Sequence, residues 1–306
     1  MRIATLALRV LIAAGPILLG LMAGAAEAAA MTKQSQLTGF GAPMRFAIVR
    51  SNVEGCEPNC PQWISAEGAI TQETPALLRK ILKQAGKDRL PVLINSVGGD
   101  VDASLAMGDI IRANRLDVGV GWTFFAGCMP TSLICKLPEQ QRGVYRGFPV
   151  TWRAYCFSTC PFILAGGQKR LAGGAMVGVT QFSTTVTSQR VFYEERYRVV
   201  NGRKQLIGRK IVKRDPVKSY TTTKLDKSSQ RKLAAHMSKM GVQKGFVALL
   251  AKAKPLSVYF LTGKEAMAVK LVTDFASART LVDNQLCQAT PTAANCIVIV
   301  SKVMEQ

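Results

Sequence analysis

Apolar and polar positions divide the chain into short strands and helices that follow one another in turn. Arg45-Phe46-Ala47-Ile48-Val49 reads as a strand and Trp63 to Ile70 as a second, with the cysteine-bearing turn Cys56-Glu57-Pro58-Asn59-Cys60-Pro61 between them. Thr71-x-x-Thr74-Pro75 is a helix start, and Leu77, Leu78, Ile81 and Leu82 then recur at helical spacing as far as Ala85. Pro91-Val92-Leu93-Ile94-Asn95 is a buried-strand run, broken by Gly98-Gly99. A helix begins near Asp102 with Leu105, Met107, Ile110 and Ile111 on its apolar face, and Asp117 to Gly121 is the next strand. Strand, glycine turn, helix, strand is a parallel βαβ unit.

From Trp122 to Thr151 the periodicity is lost among Gly, Pro, Cys and basic residues, which reads as an insertion held by Cys128 and Cys135. Regularity returns at Ala154 to Ser158, in the apolar segment Phe162 to Gly167, and in the strand Met176-Val177-Gly178-Val179. Val191 to Val200 then alternates as strands do, Asn201-Gly202 is a hairpin turn, and Lys204 to Lys213 is its return strand. Lys227 to Lys252 reads as one or two helices, weakened by Gly241 and Gly245. Leu261-Thr262-Gly263-Lys264-Glu265-Ala266 starts a short helix, and Ile297 to Val300 closes the chain as a strand. No internal repeat or low-complexity segment is present.

Ahead of these elements lies an uncharged apolar run, Val10 to Ala25, preceded by Arg2 and Arg9 and followed by Ala26-Glu27-Ala28. This is the pattern of a cleaved export signal; the rival reading is a membrane anchor over residues 10–30, for which the run is short. The expected divisions are 1–28 as signal, 29–43 as linker and 44–286 as one α/β domain. Insertions fall at about 122–151 and 189–226, and 287–306 forms a cysteine-bearing tail.

The 306-residue chain contains eight cysteines in four close pairs, Cys56/Cys60, Cys128/Cys135, Cys156/Cys160 and Cys287/Cys296. Local disulfides in an oxidising, periplasmic compartment are the simplest reading. Zinc is the rival, disfavoured by the single histidine, so no metal and no cofactor is expected. The formal charge is +21, and residues 190–232 carry fourteen Lys/Arg against four Asp/Glu. Such a segment is either a solvated hairpin with charged edges or a surface for an anionic partner. Nucleic acid is not expected, because aromatics are not interleaved with the basic residues as a base-stacking platform requires.

Three segments, Ile94-Asn95-Ser96-Val97-Gly98-Gly99-Asp100-Val101-Asp102-Ala103, Cys156-Phe157-Ser158-Thr159-Cys160 with Ala165-Gly166-Gly167, and Leu261-Thr262-Gly263-Lys264-Glu265-Ala266 through Leu271-Val272, together resemble the proteolytic subunit of Clp protease and the wider crotonase-like superfamily. The resemblance covers roughly residues 88 to 275 and departs from it at Val97, where proline is usual. It implies an α/β fold of repeated ββα units with the basic hairpin as an insertion, a peptide or protein as substrate or partner, and self-association. It also implies Ser158 as nucleophile and the amides of Gly99 and Thr159 as an oxyanion hole. Against this, Ser158 is equally a residue that caps a helix.

The resemblance breaks at the other triad positions. Thr180 stands where the family has histidine, and a threonine hydroxyl is not basic enough to serve as a general base. Before Leu261, where the family has aspartate, the chain offers Lys252 and Lys254. His236, the only histidine, lies in a lysine-rich helical stretch where an exposed surface role is expected. A serine–lysine dyad, as in signal peptide peptidase A of the same superfamily, would draw on Lys204, Lys210 or Lys213, and a usable lysine must be buried. Asp100 and Asp102 are expected as helix caps. Two functions follow: an exported serine hydrolase relative acting on peptides, or a non-catalytic descendant that keeps the fold as a binding or assembly module. Handling of coenzyme A is a distant third, since that cofactor is not expected outside the cytoplasm.

Overall fold

The computed structural model describes residues 41–288 apart from 133–136, 138–142, 182–183, 223–226 and 255–256. The expected signal, nearly all of the linker, and the strand Ile297–Val300 lie outside the described residues. The chain divides into Met1–Ala42 and Pro43–Gln306, and the second unit holds every described strand and helix.

Strands β1 (Arg45–Ser51) and β2 (Gln62–Glu67) pair antiparallel with Ile48 opposite Ile64, and the Cys56–Cys60 disulfide closes the turn between them. Helix α1 (Thr74–Ala85) has Pro75 in its first turn and buries Leu78 and Ile81. After β3 (Val92–Asn95), helix α2 (Val101–Ala113) is capped by Asp100, whose carboxylate accepts from the Ala103 amide at 2.8 Å. This satisfies one of the orphan amides of the first turn. Next come β4 (Val118–Val120), β5 (Trp122–Phe125), β6 (Val144–Val150), β7 (Tyr155–Cys156) and the short helix α3 (Cys160–Leu164). Strands β8 (Arg170–Gly173) and β9 (Met176–Thr180) follow.

The chain then leaves the body for β10 (Thr184–Ser188), β11 (Val191–Val200), β12 (Arg203–Arg214) and β13 (Lys218–Thr222). These form two separate antiparallel pairs, β10 with β13 and β11 with β12. Helices α4 (Lys227–Lys239) and α5 (Gly245–Leu250), strand β14 (Val258–Phe260), helix α6 (Gly263–Ala268), strand β15 (Asp274–Ser277) and helices α7 (Thr280–Asp283) and α8 (Gln285–Gln288) complete it.

The main sheet has the order β15-β8-β4-β3-β2-β1-β6-β5, parallel except where β2 meets β1 and β6 meets β5. A smaller sheet, β14-β9-β7, is prolonged by single bridges from Cys156 to Ser96 and from Gly99 to Ile70. The repeat is then legible. Each unit gives one strand to the main sheet, one strand or bridge to the small sheet, and one helix: β3, Ser96 and α2; β4, β7 and α3; β8, β9 and α4. The chain therefore has the α/β architecture of repeated ββα units that the resemblance implies. Residues 122–151, expected to lack regular structure, contain β5 and β6, which extend the main sheet through β1. The turn-rich composition hid the last two strands at this end of the sheet.

Ile64, Ile94, Val120, Leu78, Met107 and Phe162 pack between the main sheet and the helices, each almost wholly buried. Each such side chain contributes about 1.5–3 kcal/mol relative to exposure. Trp63, Val49, Leu93, Ala278 and Val282 form a second core on the opposite face of the sheet. Burial on both faces explains why β2 and β3 read as nearly continuous apolar runs.

Candidate active site

The segment after β7 is threaded between two neighbours. Ser96 N–H donates to the Tyr155 carbonyl at 3.0 Å, Phe157 N–H to the Ser96 carbonyl at 2.9 Å, and Ser158 N–H to the Gly178 carbonyl at 3.1 Å. A disulfide joins Cys156 to Cys160 across this loop, with both cysteines fully buried. Ser158 thereby holds φ at 58°, a left-handed conformation that costs a non-glycine residue about 1–3 kcal/mol. Thr159, not Ser158, is the N-cap of α3, and its side chain makes no cap hydrogen bond. The Ser158 hydroxyl is thus not spent on capping.

The glycine turn reaches the same loop. A Cβ on Gly98 would lie 2.6 Å from Ser158 Cβ and 2.9 Å from the Thr159 nitrogen, so glycine at 98 is what lets the two segments meet. Gly99 presses instead on the Ile70 backbone, which occupies the place where its Cβ would stand. Ser104 Oγ donates to the Asp100 carbonyl at 2.7 Å and lies 2.8 Å from Thr159 Oγ1, tying the start of α2 to the Ser158 loop. Among the described residues, neither the Gly99 nor the Thr159 amide donates to a protein acceptor.

Thr180, at the end of β9, donates its hydroxyl hydrogen to Ser158 Oγ at 2.9 Å. Strand β14 pairs Val258 with Thr180, and Gly178 leaves room for Val258 Cγ1 and for the Phe157 ring. The sequence reading missed an aromatic shelf here. Tyr155 stacks on Phe157 at 5.1 Å between centroids, and Phe260, 55 % exposed, meets Phe157 edge-on at 5.5 Å. The alternation of Tyr155 and Phe157 across Cys156 was the available signal.

Several expected roles are corrected. Lys210 and Lys213 are exposed on the hairpin, with Lys210 opposite Glu194 and Lys213 paired with Asp215 at 3.5 Å, and neither bonds to Ser158. The burial that a base lysine requires is absent. Lys204, also exposed, stands opposite Val199. His236 is not a surface residue: it is 7 % exposed, with Nε2 3.4 Å from the Phe162 carbonyl and Nδ1 3.8 Å from Asp109. Loss of hydration in this setting holds its pKa below the usual histidine value. Leu233, His236 and Met237 form the buried stripe of α4 at helical spacing, continued by Met240 just beyond it, while Lys232 and Lys239 lie on its wet side. The lysines masked that stripe.

Lys252 pairs with Glu265 at 2.8 Å, and Tyr259 donates to the same carboxylate at 2.7 Å. Those bonds, with the Thr262 amide, hold the Glu265 pKa down at about 2. Glu265 is occupied in the capping box of α6. Cys128 and Cys287 are also disulfide-bonded, and the partners expected for them, Cys135 and Cys296, lie outside the described residues. Among the described residues no three potential metal ligands converge.

No protein-family model matches the chain. No curated protein matches it. Among solved structures it is similar to a mutant of the membrane-bound stomatin-specific protease 1510-N, at 13% identity and a TM-score of 0.37 over 70% of this chain and 77% of that one. It is also similar to an enoyl-CoA hydratase from Mycobacterium marinum, at 9% identity and a TM-score of 0.37 over 81% of this chain and 85% of that one. Likeness this distant carries no weight for the site, which rests on the contacts above.

Proposed function

We propose that this is an exported relative of the Clp-type serine hydrolases in which the nucleophile position and the anion-accepting amides are kept and the base is lost. In this reading Ser158 faces a bound peptide carbonyl whose oxygen accepts from the Gly99 and Thr159 amides, and the chain holds a peptide or protein segment without cutting it. The observation that carries it is the hydrogen bond from Thr180 to Ser158 Oγ at 2.9 Å. The position from which a histidine would withdraw the serine proton is filled by a donor. A serine hydroxyl without an adjacent base is a weak nucleophile. The constrained φ of Ser158, the close approach of Gly98 and the two unengaged amides support descent from an acyl-transfer site. The four cysteine pairs and the apolar leader support export.

The second reading, an active hydrolase, is favoured by the same two amides, but among the described residues no buried amine bonds to Ser158. The test is to supply the base. The unaltered chain, Ser158→Ala and Thr180→His are compared for release of fluorescent peptides from labelled casein. The account expects the first two to be indistinguishable from background and Thr180→His to gain release that a further Ser158→Ala removes. Release by the unaltered chain that depends on Ser158 would overturn it.

A further inference from the structure

The hairpin of β11 and β12 is ten and twelve residues long, and neither of its faces is covered by the body. A two-stranded ribbon alone in water is marginal, so a surface that holds it has to be sought. The Asn201-Gly202 turn, with φ of 51° and 73°, is the tight type that fixes the pairing, and the register then sorts the side chains. Tyr193 pairs with Ile211, Tyr197 with Leu206, and Val199 lies on the same side two residues on. Of the charges on this face, Glu195 and Arg209 neutralise each other at 2.5 Å, and Lys204 stands opposite Val199 beside the turn. Tyr193, Tyr197, Val199 and Leu206 are each about half exposed or more. The opposite face carries Arg196, Arg198, Arg203, Lys210 and Lys213 against Glu194, with Phe192 and Val200 beside them.

We propose that this ribbon lies in the interface of an anionic lipid bilayer, with the Tyr193–Tyr197–Leu206 face against the acyl boundary and the basic face reaching phosphate headgroups. An element with an apolar aromatic face and a Lys/Arg-rich opposite face is what an interfacial segment requires, and tyrosine suits the boundary between hydrocarbon and water. Long basic side chains bend their charges to the headgroups while their stems stay apolar. Charge decides against a second copy of this chain. A chain of formal charge +21 repels its like and is drawn to an anionic surface. Among the described residues no helix is long and apolar enough to cross a membrane.

The test uses the full mature chain with vesicles of equal parts phosphatidylcholine and phosphatidylglycerol, and with phosphatidylcholine alone. Co-sedimentation is expected with the mixed vesicles only. Arg196→Gln with Arg198→Gln lowers the affinity by about thirtyfold, and Tyr197→Ser with Leu206→Ser by on the order of tenfold or more. Melting temperature checks that both variants remain folded. Independently, Tyr197→Trp gives difference emission that moves to the blue on mixed vesicles. The proposal is overturned by no sedimentation with either vesicle, or by binding that the charge variant loses and the apolar variant keeps while the emission of Tyr197→Trp stays put. It is equally overturned if the apolar variant instead dissolves a lipid-independent dimer in sedimentation velocity.

Discussion

Gly98 and Ser158 approach the same small volume from two segments, and each restricts the other. Gly98 has φ of 97° and no room for a Cβ beside Ser158, so Gly98→Ala strains the backbone and pushes on the loop at once. The expected cost is about 1–3 kcal/mol for the conformation alone, read as a lower midpoint in urea unfolding. The sequence made Gly98-Gly99 conspicuous but not which glycine meets Ser158, because that depends on how the strand after Ser96 crosses the strand after Cys156. Ser158 and Thr180 were legible as a pair by resemblance. That Thr180 donates to Ser158 was not, since it rests on hydroxyl orientation.

His236, disguised in the sequence by its lysine neighbours, gives a pH prediction. Its folded-state pKa is lowered, so below the usual value the unfolded chain binds the proton that the folded chain refuses. Stability is therefore full above about pH 6.5 and declines as pH falls through that region. Asp109 opposes the effect and Lys239 reinforces it. Chemical denaturation at pH 7.5 and 5 should show the decline, and His236→Gln should flatten it.

Among the elements, α2, α3, α4 and α6 are joined by two guanidinium groups that, among the described residues, pair with no carboxylate. Arg170 donates to the carbonyls of Ala165, Met240 and Lys270 at 3.2, 2.8 and 2.8 Å, and Arg112 shares the first two. Ala165 closes α3, Met240 follows α4 and Lys270 follows α6. These are helix C-terminal carbonyls, where the negative end of the peptide dipoles stands in for a counterion. Burial, then Arg112, lowers the Arg170 pKa to about 10, which leaves it charged at neutral pH. Arg170→Met should cost about 1–3 kcal/mol, since it leaves the Lys270 carbonyl without its donor and the Ala165 and Met240 carbonyls with Arg112 alone, measurable as a lowered melting temperature.

The capping box of α6 is a smaller case: Thr262→Ala should cost about 1 kcal/mol. The box itself was readable as Thr262-x-x-Glu265. The Arg170 junction was not, because its acceptors are backbone carbonyls that no side-chain pattern announces.

At the scale of the molecule, the ββα repeat places helix starts and strand ends of successive units beside one another, which is how segments sixty residues apart form one site. The hairpin stands outside this order. Among the described residues its strands pair only with each other, so replacing 191–214 by a short Gly-Ser linker should leave the melting temperature of the body within about 2 °C. A larger fall would mean that the ribbon braces the core. The alternation and the Asn-Gly turn made the hairpin readable in advance, whereas β5 was hidden by its four-residue length and β6 by the Arg, Gly and Pro that interrupt it.

Whether Ser158 can give up its proton decides between a silent site and a working one. Intact-mass labelling of the oxidised mature chain with a fluorophosphonate, from pH 5 to 10 and beside Ser158→Ala, answers that question. The account predicts no adduct that Ser158→Ala removes at any pH, because Thr180 donates to the serine and cannot take its proton. A single Ser158-dependent adduct would contradict it and require an activating base that the contacts around Ser158 do not contain.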